Sequence, residues 1–296
     1  MSKSYLERRE WLSGGWKYLL DDDDRTAWIK EGSTGGSRHY TLPTKVYVGN
    51  VLYQITSVEI GAFDNEPCLQ TLTVPDCYEY IDMDCFSHCK KLRSVYLGKG
   101  LQEYCFWSFA GCPVRKISID PENPYLKMSD DGMMVLSKDG KRLFSVVLDK
   151  VSVTVPDGVE ELNFDAISCL PHLRKLHLPS SLRRLQTEAI FENYRLKEVV
   201  LPEGVRLVGY EAVSSNENLE VLDLPSTLHR LEGRSFAYNP RLRKLILRSQ
   251  FVVDMADDDA KAYPTETCTL CVPYQLLEKY KKHSFWGQFK KIVELL

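Results

Sequence analysis

Two cysteine spacings, Cys85-x-x-x-Cys89 and Cys268-x-x-Cys271, are the residues here best suited to chemistry, and that chemistry would be zinc binding. A structural zinc takes four ligands, usually from two such pairs or from one pair with regularly spaced histidines. The six histidines, His39, His88, His172, His177, His229 and His283, offer no such set and no His-Glu-x-x-His arrangement. The two cysteine pairs are themselves far apart along the chain. The acidic runs Asp21–Asp24 and Asp257–Asp259 suggest calcium, but neither has the Asp-x-Asp-x-Asp-Gly spacing of a calcium loop, so solvated turns are expected. No phosphate-binding glycine loop and no Gly-x-Ser-x-Gly nucleophile turn occurs. The residues therefore imply no metal, no cofactor and no catalytic group.

All nine cysteines (Cys68, Cys77, Cys85, Cys89, Cys105, Cys112, Cys169, Cys268 and Cys271) cannot pair within one chain, because the number is odd. Reduced thiols agree better with a reducing compartment than with an oxidising one. The net charge is −3, from 38 basic and 41 acidic residues, which argues against a dedicated nucleic-acid or anionic-membrane binder. No apolar run is long enough to cross a bilayer, so no membrane insertion is expected. Met1 to Arg9 is charged and lacks an apolar h-region, so no signal peptide is expected there.

What must position any working surface is a repeat. Leu-x-x-Leu-x-Leu-Pro or a close variant begins at Leu69, Leu173, Leu196 and Leu219, and Leu92–Gly98 and Leu242–Arg248 keep the apolar spacing without the proline. Neighbouring starts recur every 23 residues, a leucine-rich-repeat period. Within one rung Leu196, Val199 and Leu201 point inward at strand spacing, and Pro202-Glu203-Gly204 turns the chain. Val205, Val208, Ala212 and Val213 fill the remaining sides, and Asn216 closes the rung. An asparagine at each closure (Asn193, Asn216, Asn239) can bond backbone groups that the loop leaves unpaired. Cys89 and Cys112 stand in that same slot. No single rung buries its apolar edge, whereas stacking at roughly 4.8 Å does.

These residues resemble the BspA-like leucine-rich repeats of bacterial surface proteins. The likeness lies in the Ala-Phe-x-x-Cys/Asn-x-x-Leu-x-x-Leu-x-Leu-Pro rung and in the inserted Asn123-Pro124-Tyr125 … Asp131-Gly132 … Ser137-Lys138-Asp139-Gly140 segment. It extends to the ending Val272-Pro273 … Tyr280 … Trp286 … Phe289-Lys290-Lys291-Ile292-Val293. Ile190 and Val213 replace the usual Phe, and Cys85 the usual Ala. The resemblance implies a β-rich solenoid of about nine strand rungs with two caps. It implies export and a non-catalytic binding role in adhesion or cell-surface recognition, with a protein or glycan ligand. An intracellular scaffold or a spacer without ligand are the alternatives, and a monomer is expected.

The expected layout is an N-terminal β cap over residues 1–55, a solenoid over 56–266 and a C-terminal cap over 267–296 with a last strand and short helix. A hairpin around Lys138–Lys141, between Met133–Ser137 and Leu143–Val147, is expected within an insertion at about 121–149.

Strand alternation turns the third and fifth residues of each pattern outward. In the earlier rungs this yields a Ser/Thr field with one aromatic, Tyr96, a candidate stacking platform for a sugar. In the later rungs it yields Val200, Val221 and Ile246 on successive strands, rimmed by Glu198, Asp223 and Lys244. An aliphatic cluster ringed by charge has the form of a protein-binding patch. The second position carries Arg93, Arg115, Arg174, Lys197 and Arg243, a basic stripe that would steer an acidic partner.

Overall fold

The computed structural model describes residues 8–256 and 260–295. The acidic run Asp257–Asp259 and most of the charged amino-terminal segment lie outside the described residues. The chain divides into two compact units, Met1–Lys138 and Asp139–Leu296. Each is built of β-solenoid rungs, with little helix.

The first unit opens with a cap. Strands Arg9–Ser13, Trp16–Asp21 and Thr26–Glu31 form an antiparallel meander, and Thr26–Glu31 then pairs in parallel with Val51–Val58. Between Trp16–Asp21 and Thr26–Glu31 the acidic run does form a turn. Asp21 is buried rather than solvated, and its Oδ1 accepts the backbone N–H groups of Asp23 and Asp24. The principal strands are His39–Thr41, Thr71–Val74, Ser94–Leu97 and Lys116–Ile119, paired in parallel in that order. Behind them Phe63, Phe86 and Phe109 stack rung upon rung, with ring centroids 5.1 and 5.8 Å apart. Such near-parallel stacking fills the interior with one aromatic per rung.

A hairpin lies at the end of the first unit. Met134–Ser137 pairs antiparallel with an earlier strand, Leu126–Met128, across the Asp131-Gly132 turn. Gly132 sits at φ 69°, a left-handed conformation that costs glycine nothing sterically. Buried Asn123 organises the approach to this hairpin. Its Nδ2 donates to the carbonyls of Gly98 and Leu101, and its Oδ1 accepts the N–H groups of Tyr125 and Leu126.

In the second unit Arg142–Val146 pairs in parallel with Glu161–Leu162, which starts a ladder continuing through Arg184–Leu185, Leu207–Val208, Arg230–Leu231 and Asp254–Met255. The principal strands fall into two groups: Ser152–Thr154 with Lys175–His177, and a five-stranded sheet from Glu198–Val200 to Lys291–Glu294. The substitutions noted at Ile190 and Val213 have a structural result. Ile167–Ser168, Ile190–Phe191 and Val213–Ser214 pair as a third parallel sheet, where the Phe63, Phe86 and Phe236 rungs make turns instead. β-Branched side chains favour extended backbone, so the rung flattens where they replace phenylalanine. The chain ends in a cap with a short helix at Leu277–Lys281 and buried Tyr280, Phe285 and Trp286.

Each rung of the second unit holds non-glycine residues in left-handed conformation on both sides of its buried Ala-Ile-type pair. Asp165, Glu188, Glu211 and Arg234 precede it, and Cys169, Glu192, Ser215 and Tyr238 follow it, all at φ 50–56°. Such residues cost roughly 1–2 kcal/mol apiece. Hydrogen bonds to the next rung hold them in place, among them Glu188 N–H to the Tyr210 carbonyl and Tyr238 N–H to the Ala262 carbonyl.

Glu188 carries a second penalty, because burial, followed by the charges of Glu211 and Glu192, raises its pKa above the ordinary 4.5. A carboxyl so raised destabilises the fold while ionised, and the penalty is lost as pH falls through the folded pKa toward the unfolded value. Glu188→Gln is therefore expected to raise the melting temperature at pH 7, with the gain vanishing near pH 4.5. Glu188→Gly should add roughly 0.5–1 kcal/mol from relieved backbone strain, net of glycine's extra freedom when unfolded. A gain for the glutamine variant that did not change with pH would rule out charge as its origin.

Candidate ligand-binding faces

The second unit's principal sheet has a strict register. Glu198, Val221, Lys244, Thr269 and Lys291 stack in one outward column, and Val200, Asp223, Ile246, Cys271 and Val293 stack in the other. The pleat turns Val199, Leu222, Leu245 and Leu270 inward, where all are buried.

Position in the sheet decides which outward residues reach solvent. Val200 lies on the edge strand, beside the break that separates it from Lys175–His177, and it is 51% exposed. Ile246 has a paired strand on each side and is only 6% exposed, which corrects the expectation that it stands out from the surface. Asp223 departs from expectation too, being 9% exposed rather than a free rim charge. Arg248 reaches back to it with a forked pair of bonds, Nε to Oδ1 at 2.8 Å and Nη2 to Oδ2 at 2.7 Å. A bidentate guanidinium–carboxylate pair of this kind fixes both side chains. The surface open to a ligand is therefore Val200 and half-buried Val221, flanked by Glu198 and Lys244.

The basic stripe divides between the units. In the first, Arg93 folds its Nη1 onto the carbonyls of Lys90 and Leu92, and Arg115 is exposed. In the second, Arg174 is exposed, and Lys197 is drawn to Glu220 at 2.9 Å. That hydrogen bond, then the Lys197 charge, lowers the Glu220 pKa.

Tyr96, in the first unit, is 36% exposed on the outer face. Its hydroxyl donates to Asp120 Oδ2 at 2.7 Å, which pins the ring and pushes its pKa up to about 12. Sequence reasoning missed that this face begins in the cap. Gln70 N–H bonds the Arg38 carbonyl, and His39–Thr41 is the first strand of the sheet. Leu42-Pro43, which repeats the Leu-Pro ending of later rungs, is the signal that would have found it.

The rung-closing slot behaves as expected. Asn193, Asn216 and Asn239 are buried, each bonding backbone of the preceding rung. Cys89 and Cys112 occupy the slot in the first unit, their Sγ atoms directed at the carbonyls of Phe63 and Phe86. Its neighbour Cys112 and then burial raise the Cys89 pKa, so that thiol stays protonated. Among the described residues no group of three or more His, Cys, Asp or Glu side chains is placed to hold a metal, and no helix is long and apolar enough to cross a membrane.

A family model described as the BspA type leucine rich repeat region matches in six copies over residues 52–129 and 140–253. No curated protein matches the chain in sequence. Among solved structures, the pneumococcal vaccine antigen PcpA is similar, with a TM-score of 0.58, 16% identity, and 97% of this chain and 99% of that chain covered. A leucine-rich repeat protein from Eubacterium ventriosum aligns with a TM-score of 0.53 and 14% identity over 80% of this chain and 77% of its own. One from Bacteroides ovatus aligns at 0.51 and 15%, over 96% and 76%. At these identities the likeness is one of fold.

Proposed function

Because the chain belongs to the BspA-type leucine-rich repeat family, we propose that it is a non-catalytic recognition module, binding a protein ligand in adhesion or cell-surface interaction through the outer face of its second unit. The observation that carries this reading is exposed Val200 on the strand at the sheet break and half-buried Val221 on the next strand, with Glu198 and Lys244 beside them. An apolar centre bordered by charge is the common anatomy of a protein interface. The presence of a vaccine antigen among the similar structures agrees with a surface role.

The same face would serve a cytoplasmic partner, and the odd number of cysteines, nine, favours that second reading. Cell fractionation of the producing organism separates the two.

Capture from matrix-protein and cell-lysate pools, comparing the native chain with Val200→Glu/Val221→Lys, tests the face. The variant is expected to lose roughly tenfold or more in affinity for a ligand the native chain holds, because a buried unpaired charge then replaces apolar contact. Equal capture by both proteins would remove this face from consideration. Capture by neither would favour a spacer.

A further inference from the structure

We propose that the principal sheet of the first unit binds an acidic polysaccharide, whose carboxylate or sulfate groups are held by Arg38, Arg93, Arg115 and Lys116 while an uncharged sugar face lies on Tyr96. This is a different face from the Val200 patch, with a different chemistry.

Charge segregation is the first argument. The protein is net negative at −3, yet the entry edge of this sheet collects Arg38, Lys90, Lys91, Arg93, Arg115 and Lys116, all exposed. Arg38, Gln70, Arg93 and Arg115 are stacked directly, each N–H bonding the preceding carbonyl at 2.7–2.9 Å. None of the six basic residues forms an ion pair among the described residues, whereas Lys17, Lys99 and Lys141 elsewhere are all paired. Arginines stand on three of these four rungs, with Gln70 between Arg38 and Arg93, and rungs lie roughly 4.8 Å apart; cations so spaced suit a linear polymer carrying repeated anionic groups. Guanidinium forks match the planar or tetrahedral oxygens of such groups.

The rest of the face argues for sugar over other polyanions. Beyond the basic edge the outward side chains include Thr71, Thr73, Ser94 and Ser118, all half-buried hydroxyls, of which Thr71 is hydrogen-bonded to exposed His39 at 2.8 Å. That is a poor protein-interface core, where serine is depleted, and a good match for a polyhydroxylated ligand. A nucleic-acid strand brings a phosphate every ~3.4 Å and is bound by successive aromatic platforms. Here Tyr96 stands alone on the outer face, already pinned by Asp120. At the exit end Lys99 is already engaged by Asp76 and Glu122, at 3.7 and 3.4 Å, and Asp120 lies beside them, so the unengaged cations of this face are those of the entry edge.

Dextran sulfate is the probe, with unmodified dextran and oligo-deoxythymidine as comparisons, titrated at about 50 and 200 mM salt. The native chain is expected to bind dextran sulfate, more weakly at higher salt, and to ignore dextran. Arg38→Glu/Arg115→Glu should lose roughly tenfold or more, while Arg206→Glu/Arg230→Glu, the same charge change in the other unit, should stay within about twofold. Tyr96→Ala should lose several-fold without changing the salt dependence, as a stacking contact would. No binding of dextran sulfate at low salt overturns the site. So does equal loss from both charge reversals, which would mark a general effect of net charge. Oligo-deoxythymidine bound as tightly, or an unchanged Tyr96→Ala, overturns the assignment to sugar. Because Val200 and Val221 are untouched, these failures leave the protein-binding face to stand or fall on its own test.

Discussion

Replacing Asn216 by alanine is expected to destabilise the second unit by about 3–5 kcal/mol, since it orphans three buried backbone groups at roughly 1–3 kcal/mol each. The Nδ2 of Asn216 donates to the carbonyls of Ile190 and Ser214 at 3.0 and 2.9 Å, and its Oδ1 accepts the N–H of Asn193 at 3.0 Å. Asn216 itself leans on the next rung, its own N–H bonding Oδ1 of Asn239 at 2.9 Å. The asparagines thus form a ladder in which each amide serves the rung before it. In a stack whose rungs contact only their neighbours, a broken step divides the cooperative unit. Chemical denaturation followed by circular dichroism should show a lower midpoint and a broadened or split transition. Asn216→Cys should cost less, because a thiol can still point at the preceding carbonyl, as Cys89 and Cys112 do. Equal stability of the alanine variant and the native chain would mean that the ladder is dispensable.

Removing the Trp286 side chain should cost a comparable amount, about 3–5 kcal/mol for Trp→Ala in a packed core. The ring is fully buried, lies parallel to Phe236 at 6.1 Å and meets Phe285 edge-on at 4.9 Å. Its Nε1 donates to the Val253 carbonyl at 3.0 Å, a group the alanine variant would leave unpaired. Tyr280 supports the same segment, accepting Val253 N–H and donating to the Phe251 carbonyl. The cap therefore packs on the rung whose strand Asp254–Met255 ends the ladder begun by Glu161–Leu162. Trp286→Phe would restore the ring stack but not the hydrogen bond, so it should recover most of the loss. Amide exchange should rise first in the 245–272 region in Trp286→Ala. Unchanged protection there would show that the cap does not secure the last rungs.

The two variants test features of different legibility. The asparagine ladder could be read directly: Asn193, Asn216 and Asn239 recur at the repeat period, and a polar residue at a fixed slot among apolar ones has few uses other than backbone pairing. The cap could be read only as a likeness, since the aromatic cluster of Phe236, Tyr263, Phe285 and Trp286 draws on residues from separate segments.

For the ligand-binding faces the sequence supplied direction but not exposure. Period-two alternation correctly turned Val200, Asp223 and Ile246 to the same side. Alternation says nothing of lateral neighbours, so Ile246 was expected to be open when paired strands on both sides close it.

The sequence by itself determined the rung, its 23-residue period, the inward leucines and the closing asparagines, because each repeats and each answers a local demand of strand, turn or unpaired backbone. Only the tertiary structure decided which outward residues meet solvent, that Asp223 is held by Arg248, and that Arg38 joins the edge of Arg93 and Arg115. Those outcomes depend on where a sheet breaks and which strand lies alongside, relations between segments that no local pattern encodes.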